Sequence, residues 1–381
     1  MKCIDRLSEK MELDADFESW LSRCEIKHGR DDFEPSSYGS DDIEPTSADE
    51  NLPKSTGKSN LLLILGVSTS ESNTSLYLSP RQRSRVLRIL RHGRFPIVPG
   101  KFRSAVWRDA IFHLPHFKHR TSSSPTPSWM RLSSSMFSAS YSDCLYRAVQ
   151  ICHSSPSTLS SEIDLIESDI KRCGFSETDR ASLRRILLAT SVRCREDLGS
   201  YAQGMSFLAH TIFKTMNGDE ESTFDLLVRM LRSELHRFDL VFGHDMCLLV
   251  RLCTILDTLI KSYLPRLHAH FRKYELDCPS FAAPWFVTAF SSSLPCARRL
   301  WDTFLVVGWK AVFKVCVALL KLNHNKLIHK DMSEMMRVLK EAPSSVDEGM
   351  LFREAAKIKI SDTLMQGLFE KAKNSSSKIR W

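Results

Sequence analysis

No apolar run in this 381-residue chain approaches the roughly 18–20 residues that cross a bilayer. The longest candidate, Leu61-Leu62-Leu63-Ile64-Leu65-Gly66-Val67, is far too short. Met1 opens a charged segment, without the basic-then-apolar order of a secretory signal. The expectation is a cytoplasmic chain whose membrane contact, on endomembranes, is peripheral. Cys-x-x-Cys is absent too, and the 11 cysteines are scattered and odd in number, which argues against a disulfide framework or a zinc site. Cys194, Cys253 and Cys316 sit inside helical patterns and read as small buried apolar side chains. Also missing are Gly-x-x-x-x-Gly-Lys-Ser/Thr, Gly-x-Gly-x-x-Gly, His-Glu-x-x-His and Gly-x-Ser-x-Gly. No nucleotide, cofactor or metal is therefore expected on this chain alone. His268-x-His270 and the His113, His116, His119 group have loose metal-like spacing without cysteine or carboxylate support, so they read as structural or surface residues.

What is present is ordinary for a globular protein: 43% hydrophobic and 26% charged residues. The net charge of +8 is unevenly spread. Residues 1–59 hold 15 acidic and 8 basic side chains, or −7, which leaves +15 on the remainder. A basic body suits an anionic partner: phosphates, an acidic protein face or an anionic membrane surface. No basic patch interleaved with aromatics is visible, so nucleic acid is not an expected partner.

Residues 28–60 are polar and read as disordered, because they cannot bury enough apolar surface to offset ordering entropy. Residues 1–25 carry scattered apolar positions, among them Phe17, Trp20 and Leu21, and read as decoration on a tail, with a short partner-docking helix as the alternative. Ser79-Pro80 reads as a helix start, with serine as N-cap and proline in the first turn. Helical spacing of three and four then recurs over 81–91, 102–114, 145–151, 159–171, 181–194, 205–216 and 224–235. It continues over 247–263, 264–274, 285–290, 297–307, 310–322 and 332–339. Valine is frequent in 310–322, but its length and spaced lysines favour a mostly buried helix. No strand–helix alternation and no internal repeat is visible. The expected fold is all-α, a single multi-helix domain over 79–345 behind a largely disordered acidic region, 1–78. A serine-rich insertion interrupts it at 121–140, and a helical extension and tail, 346–381, follow and fray after Gln366.

Two short strings could carry chemistry. Asp169 and Arg172 lie three apart on a predicted helix, so the carboxylate can steady the guanidinium. Tyr201-Ala202-Gln203-Gly204-Met205 follows a turn-like stretch and precedes an apolar helix. That puts Gln203 at a helix N-terminus, where backbone N–H groups and the helix dipole favour anions. Gly204 lets another segment approach closely. Each string alone is weak: a surface ion pair and a helix cap.

Together they resemble the TBC domains that act as GTPase-activating proteins for Rab GTPases. That family has an arginine followed by a tryptophan, then Ile-x-x-Asp-x-x-Arg, then Tyr-x-Gln-Gly-Met. This chain has Arg103-Ser-Ala-Val-Trp107, Ile166-Glu-Ser-Asp169-Ile-Lys-Arg172 and Tyr201-Ala-Gln203-Gly204-Met205, in that order. Further on, Tyr263-Leu-Pro265-Arg-Leu267, Trp285-Phe286-Val-Thr-Ala-Phe290, and Leu294-Pro295 with Leu300-Trp301-Asp302 and Gly308 resemble its C-terminal half.

The resemblance implies an activator that has no active site of its own and supplies two side chains in trans. Arg172 enters the site of a Rab-family GTPase in its GTP form and donates paired hydrogen bonds to phosphate oxygens. Gln203 orients the attacking water. Asp169 holds Arg172, while Ile166, Tyr201, Gly204, Arg103 and Trp107 support the platform. GTP and Mg²⁺ are carried by the partner, and the setting is vesicle trafficking. Three stretches depart from the pattern, one of them the serine-rich insertion at 121–140, which is longer than the resemblance leads one to expect. After the arginine the family usually continues Thr–aromatic–Pro, and here stands Cys173-Gly174-Phe175; after Gly-Met it often has Asn, and here stands Ser206. The alternative these leave open is a non-catalytic TBC-like adaptor that binds a GTPase or another partner.

Overall fold

Helix α1 (Pro80–Arg91) starts where Ser79-Pro80 predicts. Ser79 Oγ accepts from the Gln82 N–H, and Gln82 Oε1 accepts from the Ser79 N–H, closing a reciprocal cap. In this computed structural model, residues 18–24, 78–113, 140–154, 156–198, 201–243 and 245–376 are described, and among them every regular element is a helix. The order continues α2 (Gly100–His113), α3 (Tyr141–Ser154), α4 (Pro156–Arg172), α5 (Glu177–Leu198), α6 (Met205–Thr215) and α7 (Glu220–Arg232). Then come α8 (Phe238–Phe242), α9 (Cys247–Tyr263), α10 (Pro265–Lys273), α11 (Cys278–Val287), α12 (Ala297–Val307) and α13 (Trp309–Leu322). The last are α14 (His324–Leu327), α15 (Met332–Ser345), α16 (Glu348–Lys357) and α17 (Asp362–Ser376). Asp219, Asp277, Asp331 and Asp347 cap α7, α11, α15 and α16, each accepting a backbone N–H that the first turn leaves unpaired.

In the N-terminal half, α5 is central and packs against α3, α4, α6 and α7. In the C-terminal half, α9 takes that place against α10, α11, α13 and α17. Helix α12 joins the halves by packing on α1, α2 and α13, and the core runs through both. Every residue from Ala311 to Leu320 of α13 is buried, so a helix apolar all round wins over the strand preference of its valines. Cys194, Cys253 and Cys316 are buried as expected.

Three expectations change. Residues 285–290 are not one helix. The helix ends at Val287, and Ala289 and Phe290 turn left-handed (φ 44° and 66°), with the Phe290 N–H on the Trp285 carbonyl at 2.8 Å. That turn brings the Trp285 and Phe290 rings to 5.2 Å and buries both. The chain after Gln366 stays helical to Ser376, because Leu368 and Ala372 are buried on the same face as Met365, and α17 packs on α9. Residues 18–24 are a docked helix, not tail decoration. Trp20 and Leu21 are buried, the Trp20 indole N–H bonds the Ile97 carbonyl at 2.9 Å, and Glu18 pairs with Arg85. The disordered reading of 28–60 and nearly all of the 121–140 insertion lie outside the described residues.

Candidate functional site

Helix α4 buries Ile166 and Ile170 and ends at Arg172. Lys171 and Arg172 in its last turn suit the negative end of the helix dipole. Arg172 itself is exposed. Asp169, one turn back, points the other way and is 3% exposed. The difference follows from helix geometry. Asp169 continues the inward stripe of Ile166 and Ile170, and Arg172 lies round the corner from it.

The expected Asp169–Arg172 pairing is therefore corrected. The Asp169 carboxylate turns to the Tyr201–Ser206 segment instead. Its Oδ2 accepts from the Tyr201 hydroxyl at 2.6 Å, the Gly204 N–H at 2.9 Å and the Ser206 hydroxyl at 2.7 Å. A buried carboxylate needs such donors, and these three meet that need. Asp169 thus fixes the turn that carries Gln203 relative to the helix that carries Arg172. Burial, followed by the Asp169 charge, pushes the Tyr201 hydroxyl pKa well up, so it stays a proton donor.

Gln203 is exposed, and Gly204 behind it is the N-cap of α6. Gly204 has φ +101° and ψ −14°, a left-handed conformation that glycine adopts at no steric cost. A Cβ there would lie 2.9 Å from Val287 Cγ1. What approaches Gly204 is thus the end of α11.

Of the three residues after Arg172, Cys173 and Phe175 reach α6. The Cys173 Sγ is 3.2 Å from Ser206 Oγ. Phe175 stacks on His210 at 4.0 Å between centroids and meets the edge of Phe207 at 6.0 Å. Asp179 holds His210 from below through Nε2 at 3.3 Å, and burial lowers the His210 pKa, favouring the neutral ring. Burial pushes the Cys173 thiol up to about 11. The arginine loop and the glutamine turn are thus built on the same first turns of α6. Reading the sequence missed Ser206, Phe175 and His210 as parts of this platform. The only signal was that the first two interrupt or follow a motif.

Arg103 and Trp107 make a different joint. Arg103 Nε donates to Asp302 Oδ1 at 2.9 Å, Trp107 Nε1 donates to the same atom at 2.7 Å, and Trp107 stacks on Trp301 at 5.6 Å. Asp302 is fully buried, and its desolvation raises its pKa to about 6 against the opposing pull of Arg103. This joint couples α2 to α12, and α2 in turn packs against α6. Tyr263 bonds the Lys359 carbonyl through its hydroxyl at 2.7 Å, tying α9 to the segment before α17. His268 faces Asp257 and His270 faces the Lys330 carbonyl, so the pair is divided between two partners.

Residues 125–328 match the sequence profile of the Rab-GTPase-TBC domain. The chain belongs to this family. A Drosophila melanogaster relative, "Ecotropic viral integration site 5 ortholog", is 29% identical over 200 residues, which is 50% of this chain and 24% of that protein. The Caenorhabditis elegans "Rab GTPase-activating protein eat-17" is 27% identical over 197 residues, 50% of this chain and 22% of that one. The chain thus spans about a quarter of the length of these curated relatives. The crystal structure of the Ypt/Rab-GAP domain of Gyp1p aligns with a TM-score of 0.54 at 19% identity, over 84% of this chain and 98% of that one. The Chlamydomonas flagellar RabGAP TBC domain aligns at 0.53 and 19%, over 90% and 95%. At that identity the likeness establishes the TBC fold.

Proposed function

We propose that this TBC domain accelerates GTP hydrolysis by a Rab-family GTPase, supplying Arg172 and Gln203 in trans. One observation carries the reading: two exposed side chains of the right chemistry stand on two segments that a single buried carboxylate ties together. Phosphoryl transfer depends on positioning and on electrostatic stabilisation of spreading phosphate charge. Arg172 is always charged and presents planar paired N–H donors, which a lysine cannot copy. Gln203 offers a carbonyl acceptor for the attacking water and an NH₂ donor for its far side. Its place before the α6 N-terminus adds a favourable field for an anion. The GTP form of the Rab is the partner, and GTP and Mg²⁺ belong to that partner. The chain is an activator and carries no active site of its own. Peripheral contact with an anionic membrane fits the basic α1, whose outward face carries Arg81, Arg88 and Arg91 and whose first turn holds no acid.

The test is single-turnover hydrolysis over a Rab panel with wild type, R172A, R172K and Q203A. Wild type accelerates at least one Rab, and R172A and R172K lose about 10³-fold or more of that rate, the scale of an arginine supplied in trans. Q203A loses about 10²-fold. GTP-dependent binding with no acceleration by wild type identifies the adaptor and refutes the catalytic reading.

A further inference from the structure

The residue after Arg172 and the second residue after Gly204 meet in space. Cys173 Sγ and Ser206 Oγ are 3.2 Å apart. With its pKa pushed up to about 11, the Cys173 thiol keeps its proton at neutral pH. Ser206 is fully buried, and its one O–H is committed to Asp169 Oδ2 at 2.7 Å. The S–H is then the donor and Ser206 Oγ the acceptor. Two hydrogen bonds in series run from the residue after Arg172 to the carboxylate that holds Tyr201 and Gly204.

We propose that Cys173 and Ser206 are a linked pair of positioning residues that sets Arg172 against Gln203. The proposal rests on the GTPase-activating reading above. The other side-chain contact between the 173–175 loop and α6 is Phe175 on His210 and Phe207, two residues further from the arginine.

The test is a cycle of C173V, S206A and C173V/S206A in the full chain, with C173S as the conservative variant that keeps a donor. Two quantities are measured: single-turnover hydrolysis by a responsive Rab, and amide hydrogen exchange at Gly204. Each single variant slows hydrolysis about tenfold, since small misplacements near the reacting atoms are costly, while binding of the GTP-bound Rab stays within about twofold. The double variant is no slower than the slower single, because both remove the same link. C173S recovers most of the rate, and the Gly204 amide exchanges several-fold faster in both singles. Additive losses, C173S as slow as C173V, or wild-type exchange at Gly204 in both singles overturns the proposal. If wild type accelerates no Rab, the GTPase-activating reading fails by itself. The exchange arm then decides the link: faster exchange in both singles upholds it, and unchanged exchange overturns it.

Discussion

Replacing Gly204 with alanine should damage stability and activity by separable amounts. At φ +101° an L-residue pays about 1–2 kcal/mol for the left-handed backbone. The new Cβ would also stand 2.9 Å from Val287 Cγ1, and an ordinary contact begins at 3.4 Å, so the turn or the valine must move by about 0.5 Å. Val287 is β-branched, stiff and the last residue of α11, so part of the shift falls on the turn. Overpacking of this size adds about 1–2 kcal/mol, for a total of about 2–4 kcal/mol. Moving Gln203 by half an ångström relative to Arg172 costs about tenfold in hydrolysis rate. Gly218 supplies the control. It has φ +83°, but its added Cβ meets only Phe213 Cζ at 3.7 Å, so G218A pays the backbone cost alone. Urea unfolding then ranks wild type, G218A and G204A in falling order. Adding V287A to G204A opens the space, and the cycle shows a favourable coupling of about 1 kcal/mol. If G204A is no less stable than G218A, or if V287A and G204A act additively, the steric argument fails.

Other consequences follow from residues away from the site. Lys314 is buried with its Nζ on the Gly93 carbonyl at 3.2 Å, and burial, then Lys310 and Arg94, lower its pKa below 10.5. The folded state then binds fewer protons than the unfolded state in the window below 10.5, so stability from this group rises with pH. Urea unfolding at pH 7.5 and 10 should show wild type gaining on K314M, and a flat or falling difference refutes the assignment. W20A removes a buried indole worth about 3–5 kcal/mol of docking, so trypsin should cut after Arg23 much faster while the main unfolding transition stays in place. Equal cutting rates would show that residues 18–24 are not held by Trp20. Reversing Arg81, Arg88 and Arg91 to glutamate should abolish sedimentation with phosphatidylserine vesicles at low salt, at about 1 kcal/mol per charge, and undiminished sedimentation places the membrane contact elsewhere.

The helices and the candidate pair Arg172 and Gln203 are readable from the sequence alone. Period-three-and-four spacing marks a buried stripe wherever it occurs, so α9 and α12 were legible at their full bounds and most others within a few residues. Boundaries and turns were less legible. Residues 285–290 keep helical spacing, yet their two aromatic rings bury better across a reversal, and only packing can report that. Valine in α13 pointed one way and burial on all sides decided the other. The site divides in the same manner. Arg172 and Gln203 are nameable from ordered motifs, because chemistry restricts residue type. Where Asp169 points is not, because a carboxylate at i−3 can face its arginine or the core with equal sequence logic. The tertiary fold decided for the core: it brings Tyr201, Gly204 and Ser206 to one oxygen, and no spacing rule within one helix links residues that lie 32 to 37 positions apart.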